Sequence, residues 1–267
     1  MRFVKDLFHD LLSKCDKYYF FTIVLIAQNT LSRQYRDSVL GILWTLIQPM
    51  TQVVIYSLIM PHIMRFPVAD YTTFLITSIF TWGFISQTLI ITPNSLINNA
   101  EIIKRCIISK TIFPLADVSR LFYNYIISFV CMYVLLLLLS ITKFDQVILL
   151  LPLYLIPIFI IMASVSIALA FSAPYLKDLN EIMTVLVSVS FWLTPIVYPI
   201  TVIPEHLRYL FELNPFYIMI KPISILVHQH VIPSFQDMLS LALVAMLSCM
   251  LSYIIYRGCR KNFVFYL

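Results

Sequence analysis

Two arginines stand close together in front of a long apolar run, and their chemistry suits the binding of phosphate. The segment LSRQYRDSVLGILW (residues 31–44) carries Arg33 and Arg36 on either side of Tyr35, and the next charged residue beyond it is Arg65. Guanidinium groups bind phosphate through paired hydrogen bonds, and basic side chains beside a bilayer meet lipid phosphate. The same arginines would also anchor a membrane span by the positive-inside rule, without any substrate. Both interpretations stay open for Arg33, Tyr35 and Arg36.

A second segment with distinct polar and apolar faces lies in the loop of residues 93–120. Asn94 or Ser95 can cap a helix that starts just after Pro93. An amphipathic helix that lies across the membrane face can insert into the groove of a partner protein, whereas the plain alternative is a surface loop. The pattern over residues 95–105 favours docking. The polar residues that would face the partner are Asn98, Asn99, Glu101, Lys104 and Arg105.

Aromatic and amide side chains replace ionisable groups in the apolar parts of the chain. The centres of the predicted spans contain no Asp, Glu, Lys, Arg or His, which weighs against a carrier driven by protons or sodium ions. Aromatic rings pack on the C–H faces of sugars, while Tyr hydroxyls and Gln amides bond to sugar hydroxyls. The alternative for each ring is a position facing lipid or the membrane interface. The aromatic residues that we predict to line a channel are Trp44, Tyr56, Phe74, Trp82, Phe191, Trp192 and Tyr198.

The sequence contains no recognisable nucleotide-binding or metal-binding motif. Its only glycines are Gly41, Gly83 and Gly258, too few and too far apart for a P-loop or a dinucleotide-binding turn. His228 and His230 stand two residues apart without a third ligand, so we expect loop residues rather than a metal site. We therefore expect no catalytic residue, no metal and no cofactor in this chain, and no nucleic-acid partner.

The composition predicts a membrane protein that crosses the bilayer several times. Of 267 residues, 61% are hydrophobic and only 12% are charged, against about 25% charged residues in soluble domains. Because a helix needs about 20 apolar residues to cross the hydrocarbon core, we predict an all-α membrane protein with six transmembrane helices. The predicted spans are residues 38–64, 71–92, 121–142, 147–174, 182–200 and 234–256.

The segments around these spans have their own predicted roles. Between the fifth and sixth spans the chain is broken at Asn214-Pro215, and we expect a pair of short helices dipping into the outer leaflet. Fourteen of the Lys and Arg residues fall on one side and four on the other, so both termini are expected in the cytoplasm. The expected regions are an N-terminal amphipathic interface region (1–37), the transmembrane domain (38–256), the helix pair within it (204–228) and a cytoplasmic tail (257–267).

These features together resemble the permease subunits of ABC-type exporters of bacterial surface polysaccharides, which include O-antigen, capsule and teichoic-acid exporters. The resemblance covers nearly the whole chain, although its motifs do not distinguish one glycan from another. The family pattern is approximately R-x-x-R-x-S-x-L-G-x-L-W-x-x-x-x-P. It is matched at every position, by Arg33, Arg36, Ser38, Leu40, Gly41, Leu43, Trp44 and Pro49. Further matches are the Asn-rich loop before Phe113-Pro114, the segment PYLKDLNEI (174–182) and Asn214-Pro215.

The resemblance implies a homodimer in the bacterial inner membrane, bound to two copies of a separate ATPase that uses ATP and Mg²⁺. Residues 95–105 would be the coupling helix in a groove of that ATPase. A lipid-linked polysaccharide would pass between the two permease subunits, beside the first and fifth spans, and the outer-leaflet helix pair would cap the path. Arg33 and Arg36 would meet membrane lipids or the pyrophosphate of the lipid-linked glycan, and Gly41 would allow close helix approach.

Export of O-antigen is the function that we expect, and four alternatives are weighed against it. Capsular polysaccharide or teichoic acid would need the same kind of permease. An ABC exporter of small molecules or lipids fits the composition, but the helix pair and the aromatic first span favour a polymer. An ion-coupled carrier conflicts with the uncharged spans, and a membrane-bound transferase would need a clustered acid–base or metal site.

Overall fold

The computed structural model describes residues 17–36, 38–64, 71–106, 108–138, 140 and 142–259. Every regular element within these ranges is a helix, which confirms the predicted all-α fold. Residues 1–16 and Asp37 of the predicted N-terminal amphipathic region and the last eight residues of the predicted tail lie outside the described residues.

Eleven α-helices make up the described part of the chain. They are α1 (Lys17–Tyr35), α2 (Trp44–Met64), α3 (Tyr71–Ile91), α4 (Ser95–Asn98), α5 (Ala100–Arg105), α6 (Ile112–Leu138), α7 (Leu151–Ser172), α8 (Leu179–Leu193), α9 (Glu205–Glu212), α10 (Pro215–His228) and α11 (Phe235–Cys259). Short 3₁₀ turns at residues 41–43, 92–94, 146–150 and 200–202 adjoin or separate some of them.

Five helical stretches are long and apolar enough to cross a bilayer, which supports a multi-pass membrane protein. Helices α9 and α10 meet at an angle of 95°, and counting this bent pair as one further span gives six. These two short helices occupy the region where the sequence predicts a helix pair, while their depth in the membrane stays a prediction. The five stretches are Trp44–Ile63, Tyr71–Asn98, Ile112–Leu138, Gln146–Ser172 and Phe235–Cys259.

Helix α3 is the centre of the bundle, because it packs against α2, α6, α7, α8 and α10. Fourteen of its 21 side chains are buried, whereas Val53 is the one buried side chain among those described on α2. Helix α11 packs along α7, and α1 lies against the start of α6, where Ile23 contacts Ile112 and Ala116. Helices α2 and α8 therefore border the bundle and leave much of their surface open.

The predicted fifth span, residues 182–200, is helical only as far as Leu193. Helix α8 has 15 residues and rises about 22 Å, less than the roughly 30 Å of a hydrocarbon core. The helix ends because a residue before proline disfavours helical backbone, and Thr194 before Pro195 is extended (φ −113°, ψ 133°). Expecting one continuous helix here was therefore wrong.

The segment that follows α8 is buried and is bonded to other parts of the bundle. Asn214 donates from Nδ2 to the carbonyl oxygen of Leu193 (3.1 Å) and to Thr194 Oγ1 (3.0 Å), and its Oδ1 accepts from the Phe216 N–H (2.9 Å) as the N-cap of α10. The Tyr71 hydroxyl donates to the carbonyl oxygen of Val197 (2.6 Å). Non-helical backbone within a membrane protein needs such partners, because lipid offers none.

Replacing Asn214 by Leu is expected to lower the free energy of unfolding by about 2–3 kcal/mol, since the helix cap and two side-chain hydrogen bonds are lost together. Asn214→Asp keeps the acceptor that caps α10 but loses the amide donor, so its effect is expected to be roughly half as large. Thermal unfolding of the purified protein in detergent, followed by size-exclusion fluorescence, measures both. Equal midpoints for Asn214→Leu and the unchanged protein would contradict this role.

The third long helix starts earlier than the sequence predicts. The predicted span was residues 121–142, but α6 begins at Ile112, with Pro114 in its first turn. Proline is tolerated there because the first helical N–H groups have no partner within the helix. The earlier start brings Asp117 and Arg120 onto the helix, where Arg120 is buried.

Candidate functional site

An open cleft of about 760 Å³ lies between α2, α3, α6 and α8. Its wall is formed by aromatic, amide, hydroxyl and aliphatic side chains, and none of the described residues that line it is charged. The amides are Gln34, Gln48, Gln52, Gln87 and Asn124, and the hydroxyls include those of Thr45, Ser86, Ser128 and Ser188.

Five of the seven aromatic residues predicted to line a channel meet in this cleft: Trp44, Tyr56, Trp82, Phe191 and Trp192. Phe191 contacts three of the others, with ring centroids 6.4 Å from Tyr56, 6.1 Å from Trp82 and 5.3 Å from Trp192. Trp44 and Trp192 are each more than half exposed. The three helices α2, α3 and α8 thus contribute to one aromatic surface.

Phe74 and Tyr198, the other two predicted aromatic residues, lie outside the lining of the cleft. The Phe74 ring stacks on Tyr71, with centroids 6.1 Å apart, and meets His228 edge-on. The Tyr198 hydroxyl donates to the carbonyl oxygen of Trp192. Whether any of the seven lines a transport channel stays a prediction.

The amide side chains of the cleft were missed as site residues by the sequence analysis. Gln48, Gln52 and Tyr56 follow one another at four-residue spacing on α2, so they share one face of that helix. That spacing was the signal that could have identified them. Gln48 and Gln52 are both exposed, and an amide is costly in contact with lipid, so this face requires water, protein or a polar ligand.

The predicted phosphate-binding arginines flank the end of α1. Arg33 and Arg36 are exposed and outside the lining of the cleft, and the side chain of Tyr35 lies outside the described ones. Directly after the undescribed Asp37, the backbone of Ser38 to Gly41 turns towards the start of α2. The structure thus places both arginines beside the cleft rather than in it, and their role with phosphate stays a prediction.

Gly41 provides a backbone conformation rather than close helix packing. Its φ is +51°, in the left-handed region that favours glycine, and its N–H donates to Ser38 Oγ (3.1 Å). No atom of the described chain lies within 4 Å of the position that a Cβ would take. The expected close approach is therefore absent within this subunit, and the glycine serves the turn that directs Trp44 to the cleft.

The predicted coupling segment, residues 95–105, consists of two short helices rather than one. Asn99 separates α4 from α5 and donates from Nδ2 to the carbonyl oxygen of Ser95 (2.8 Å). Leu96 and Ile103 are buried and anchor the segment on the bundle. The polar residues of the segment are mostly exposed: Asn98, Glu101, Lys104 and Arg105 are exposed, and Asn99 is half-buried. The Glu101–Arg105 ion pair is long (4.0 Å) and fully solvated, so it adds little stability.

A second loop lies beside the coupling segment. Asn94 donates from Nδ2 to Asn180 Oδ1 (3.2 Å), which joins the loop before α4 to the start of α8. Leu176, Lys177 and Asp178 are exposed just before α8. Ile97 and Ile102 are also exposed, at 43% and 47%. The two loops together present apolar and charged side chains at the end of the bundle where α6 begins, here called the basic end.

The two histidines of the opposite end do not form a cluster. His228 contacts Phe74 and is the last residue of α10. The Nε2 atom of His230 lies 3.4 Å from Thr142 Oγ1. Within the described ranges no group of three His, Cys, Asp or Glu side chains could hold a metal ion.

Comparison with known proteins identifies the family of this chain. It is similar to two O-antigen export system permease proteins RfbA of Klebsiella pneumoniae, at 29% and 27% identity over 203 residues, which are 76% of this chain and 78% of each relative. The protein of the same name from Myxococcus xanthus is 22% identical over 243 residues, 90% of this chain and 93% of the relative. Residues 22–227, about three quarters of the chain, match the ABC-2 type transporter family. The resemblance to ABC-type permeases is thereby confirmed, and the chain belongs to the ABC-2 type transporter family.

Proposed function

We propose that this protein is the transmembrane subunit of an ATP-driven exporter that moves a lipid-linked surface polysaccharide across the bacterial inner membrane, with O-antigen as the polymer. The observation that carries the proposal is the uncharged cleft, because aromatic faces and amides are the groups that contact sugars. Three relatives that are named O-antigen export permeases support the choice of polymer.

The energy would come from two copies of a separate ABC ATPase that uses ATP and Mg²⁺. The family supports this partner, and so does the lack of a P-loop in the sequence. The paired loops at the basic end offer the docking surface, since Ile97 and Ile102 are exposed between charged side chains and their neighbours Leu96 and Ile103 are buried. ATP binding would push this segment and tilt the helices that border the cleft.

A second copy of the chain would complete the transport path. The cleft is open on one side, and no helix among the described residues covers Gln48 and Gln52, which α2 presents there. A homodimer with two such clefts facing each other would enclose the amides and rings in a channel away from lipid. A polymer could slide along it, because many weak and similar contacts hold no single sugar tightly.

The basic end would face the cytoplasm. In the described residues this end carries nine Lys or Arg residues, whereas the opposite end carries three: Lys143, Arg208 and Lys221. The positive-inside rule then directs both termini to the cytoplasm, where the ATPase and the lipid-linked polymer are made available.

Disruption of the gene in its host tests the proposed function. We expect the surface polysaccharide to disappear from whole-cell antibody labelling while lipid-linked polymer accumulates inside, and the intact gene to restore labelling. Unchanged surface polysaccharide in the disrupted strain would contradict the proposal.

A further inference from the structure

Arg120 is a buried charged residue on a helix that crosses the membrane, and it calls for an explanation. Its side chain is only 7% exposed, and it lies eight residues, or about 12 Å, from the start of α6 at the basic end. A buried arginine in such a helix is costly unless its charge and its five N–H donors are matched. Charged residues in this setting therefore mark functional sites more often than ordinary packing.

The contacts of Arg120 leave part of its donor capacity unused. Nη1 donates to Gln34 Oε1 at 2.7 Å, while Nε has no hydrogen-bond partner among the described residues. The two ion pairs found there, Glu101–Arg105 and Lys221–Asp237, do not include it. Asp117, three residues earlier on α6, is close enough to offset part of its charge. The guanidinium is thus held by one neutral amide and by a carboxylate that does not pair with it directly.

Arg120 stands directly behind the wall of the cleft. Gln34, to which it is bonded, lines the cleft, and so does Asn124, one turn further along α6. Asn124 is only 9% exposed, and its Oδ1 also has no partner among the described residues. An unused donor of the guanidinium therefore lies beside two amides, Gln34 and Asn124, at the basic end of a cleft whose own lining is uncharged.

We infer that Arg120, Gln34 and Asn124 form a binding site for a phosphate or pyrophosphate group at the basic end of the cleft. The inference rests on the proposed function and adds the residues that would hold the charged end of the substrate. An anion in the cleft would accept from the guanidinium and from the two amide NH₂ groups. The Gln34 amide would first turn away from Nη1, and the Asn124 amide would turn so that Nδ2 takes the place of the unpartnered Oδ1. Arg33 and Arg36 are exposed outside the cleft, where they would meet the group before it enters.

The tryptophans provide a direct measurement of binding. The chain has three, and all of them, Trp44, Trp82 and Trp192, line the cleft. The full chain in nanodiscs is titrated with farnesyl pyrophosphate and with farnesol, which has the same hydrocarbon chain, and tryptophan fluorescence is followed. We expect the pyrophosphate to bind at least about tenfold more tightly, as charge-assisted hydrogen bonds imply. Arg120→Gln is expected to reduce this preference to about twofold, while Arg120→Lys keeps part of it.

A variant with the opposite expected effect guards against simple misfolding. Asp117→Asn removes the carboxylate that offsets the Arg120 charge, so we expect pyrophosphate to bind about threefold more tightly. A misfolded protein would not gain affinity. Arg257→Gln, an exposed arginine at the same end, serves as the matched control and is expected to leave the preference unchanged. Full preference in Arg120→Gln, or its loss in Arg36→Gln alone, would overturn the assignment.

Two further measurements identify the source of the anion and test the proposed function separately from the Arg120 site. If inorganic pyrophosphate competes as strongly as farnesyl pyrophosphate, and this competition depends on Arg120, the site is confirmed and its ligand is a free anion. Weak competition by inorganic pyrophosphate supports a lipid-linked ligand. An oligosaccharide of the exported polymer tests the cleft itself. If the oligosaccharide changes the fluorescence but the unchanged protein shows no preference for pyrophosphate, the Arg120 site alone is overturned. No response to either ligand would overturn the proposed function as well.

Discussion

Replacing Ile102 by Asp is expected to release the ATPase partner from this protein. Ile102 is 47% exposed on the coupling segment, on a surface whose inner side is anchored by Leu96 and Ile103. Docking would bury its side chain, which contributes about 1.5–3 kcal/mol, and a carboxylate in its place would add a desolvation cost. We therefore expect the ATPase activity that co-purifies with the tagged protein from native membranes to fall at least about tenfold.

The matched control is Val202→Asp. Val202 is also an exposed aliphatic residue, at 47%, but it lies at the opposite end of the bundle. The same change of chemistry there is expected to leave co-purified ATPase activity unchanged. If both variants retain the same ATPase activity when they are present at equal levels in the membrane, the coupling segment is not the docking surface.

Replacing Ser188 by Trp is expected to block export while leaving the complex assembled. Ser188 lies on α8 in the wall of the cleft, among the rings of Phe191 and Trp192, so an indole at this position would project into the path. Because the surroundings are already aromatic and the site is exposed, the fold should tolerate it. We expect the amount of surface polysaccharide in the complemented strain to fall at least about tenfold, because the indole obstructs a part of the cleft wall that every sugar must pass.

The control for this blockage is Leu243→Trp on α11. Leu243 is exposed on a helix that does not line the cleft, so a larger apolar side chain there should not affect export. Both variants are compared at equal membrane levels and equal retention of the ATPase. Undiminished export by Ser188→Trp would mean that the polymer does not pass through this cleft.

The lengths of the apolar segments predicted most of the membrane helices, whereas the residues at which helices begin and end depended on local backbone chemistry. Pro114 occupies a first turn where proline is harmless, and α6 starts nine residues earlier than predicted. Pro195 had the opposite effect, because it forces Thr194 out of helical backbone and shortens α8. A proline is thus compatible with a helix when it lies in the first turn, but ends a helix when it follows the last turn.

Residue type alone could not identify which aromatic residues share a site. Trp44, Tyr56 and Trp82 reach one cleft because α2 and α3 pack side by side with these faces turned inwards. Phe74 lies two turns before Trp82 on α3, but α10 packs against that part of the helix and the ring meets His228 instead. Contacts between distant helices decide such positions, and a single sequence does not contain them. The four-residue spacing of Gln48 and Gln52 was the more informative local signal.

Photocrosslinking from the cleft in living cells tests the central claim most directly. A benzophenone amino acid is placed at Gln52, an exposed residue of the cleft wall, or at Leu243 on the outer face of α11. After irradiation the purified subunit is probed with an antibody against the surface polysaccharide. The account predicts a ladder of polymer attached at position 52 and none at position 243. Crosslinks to phospholipid alone at position 52, in cells that still export the polymer, would contradict it.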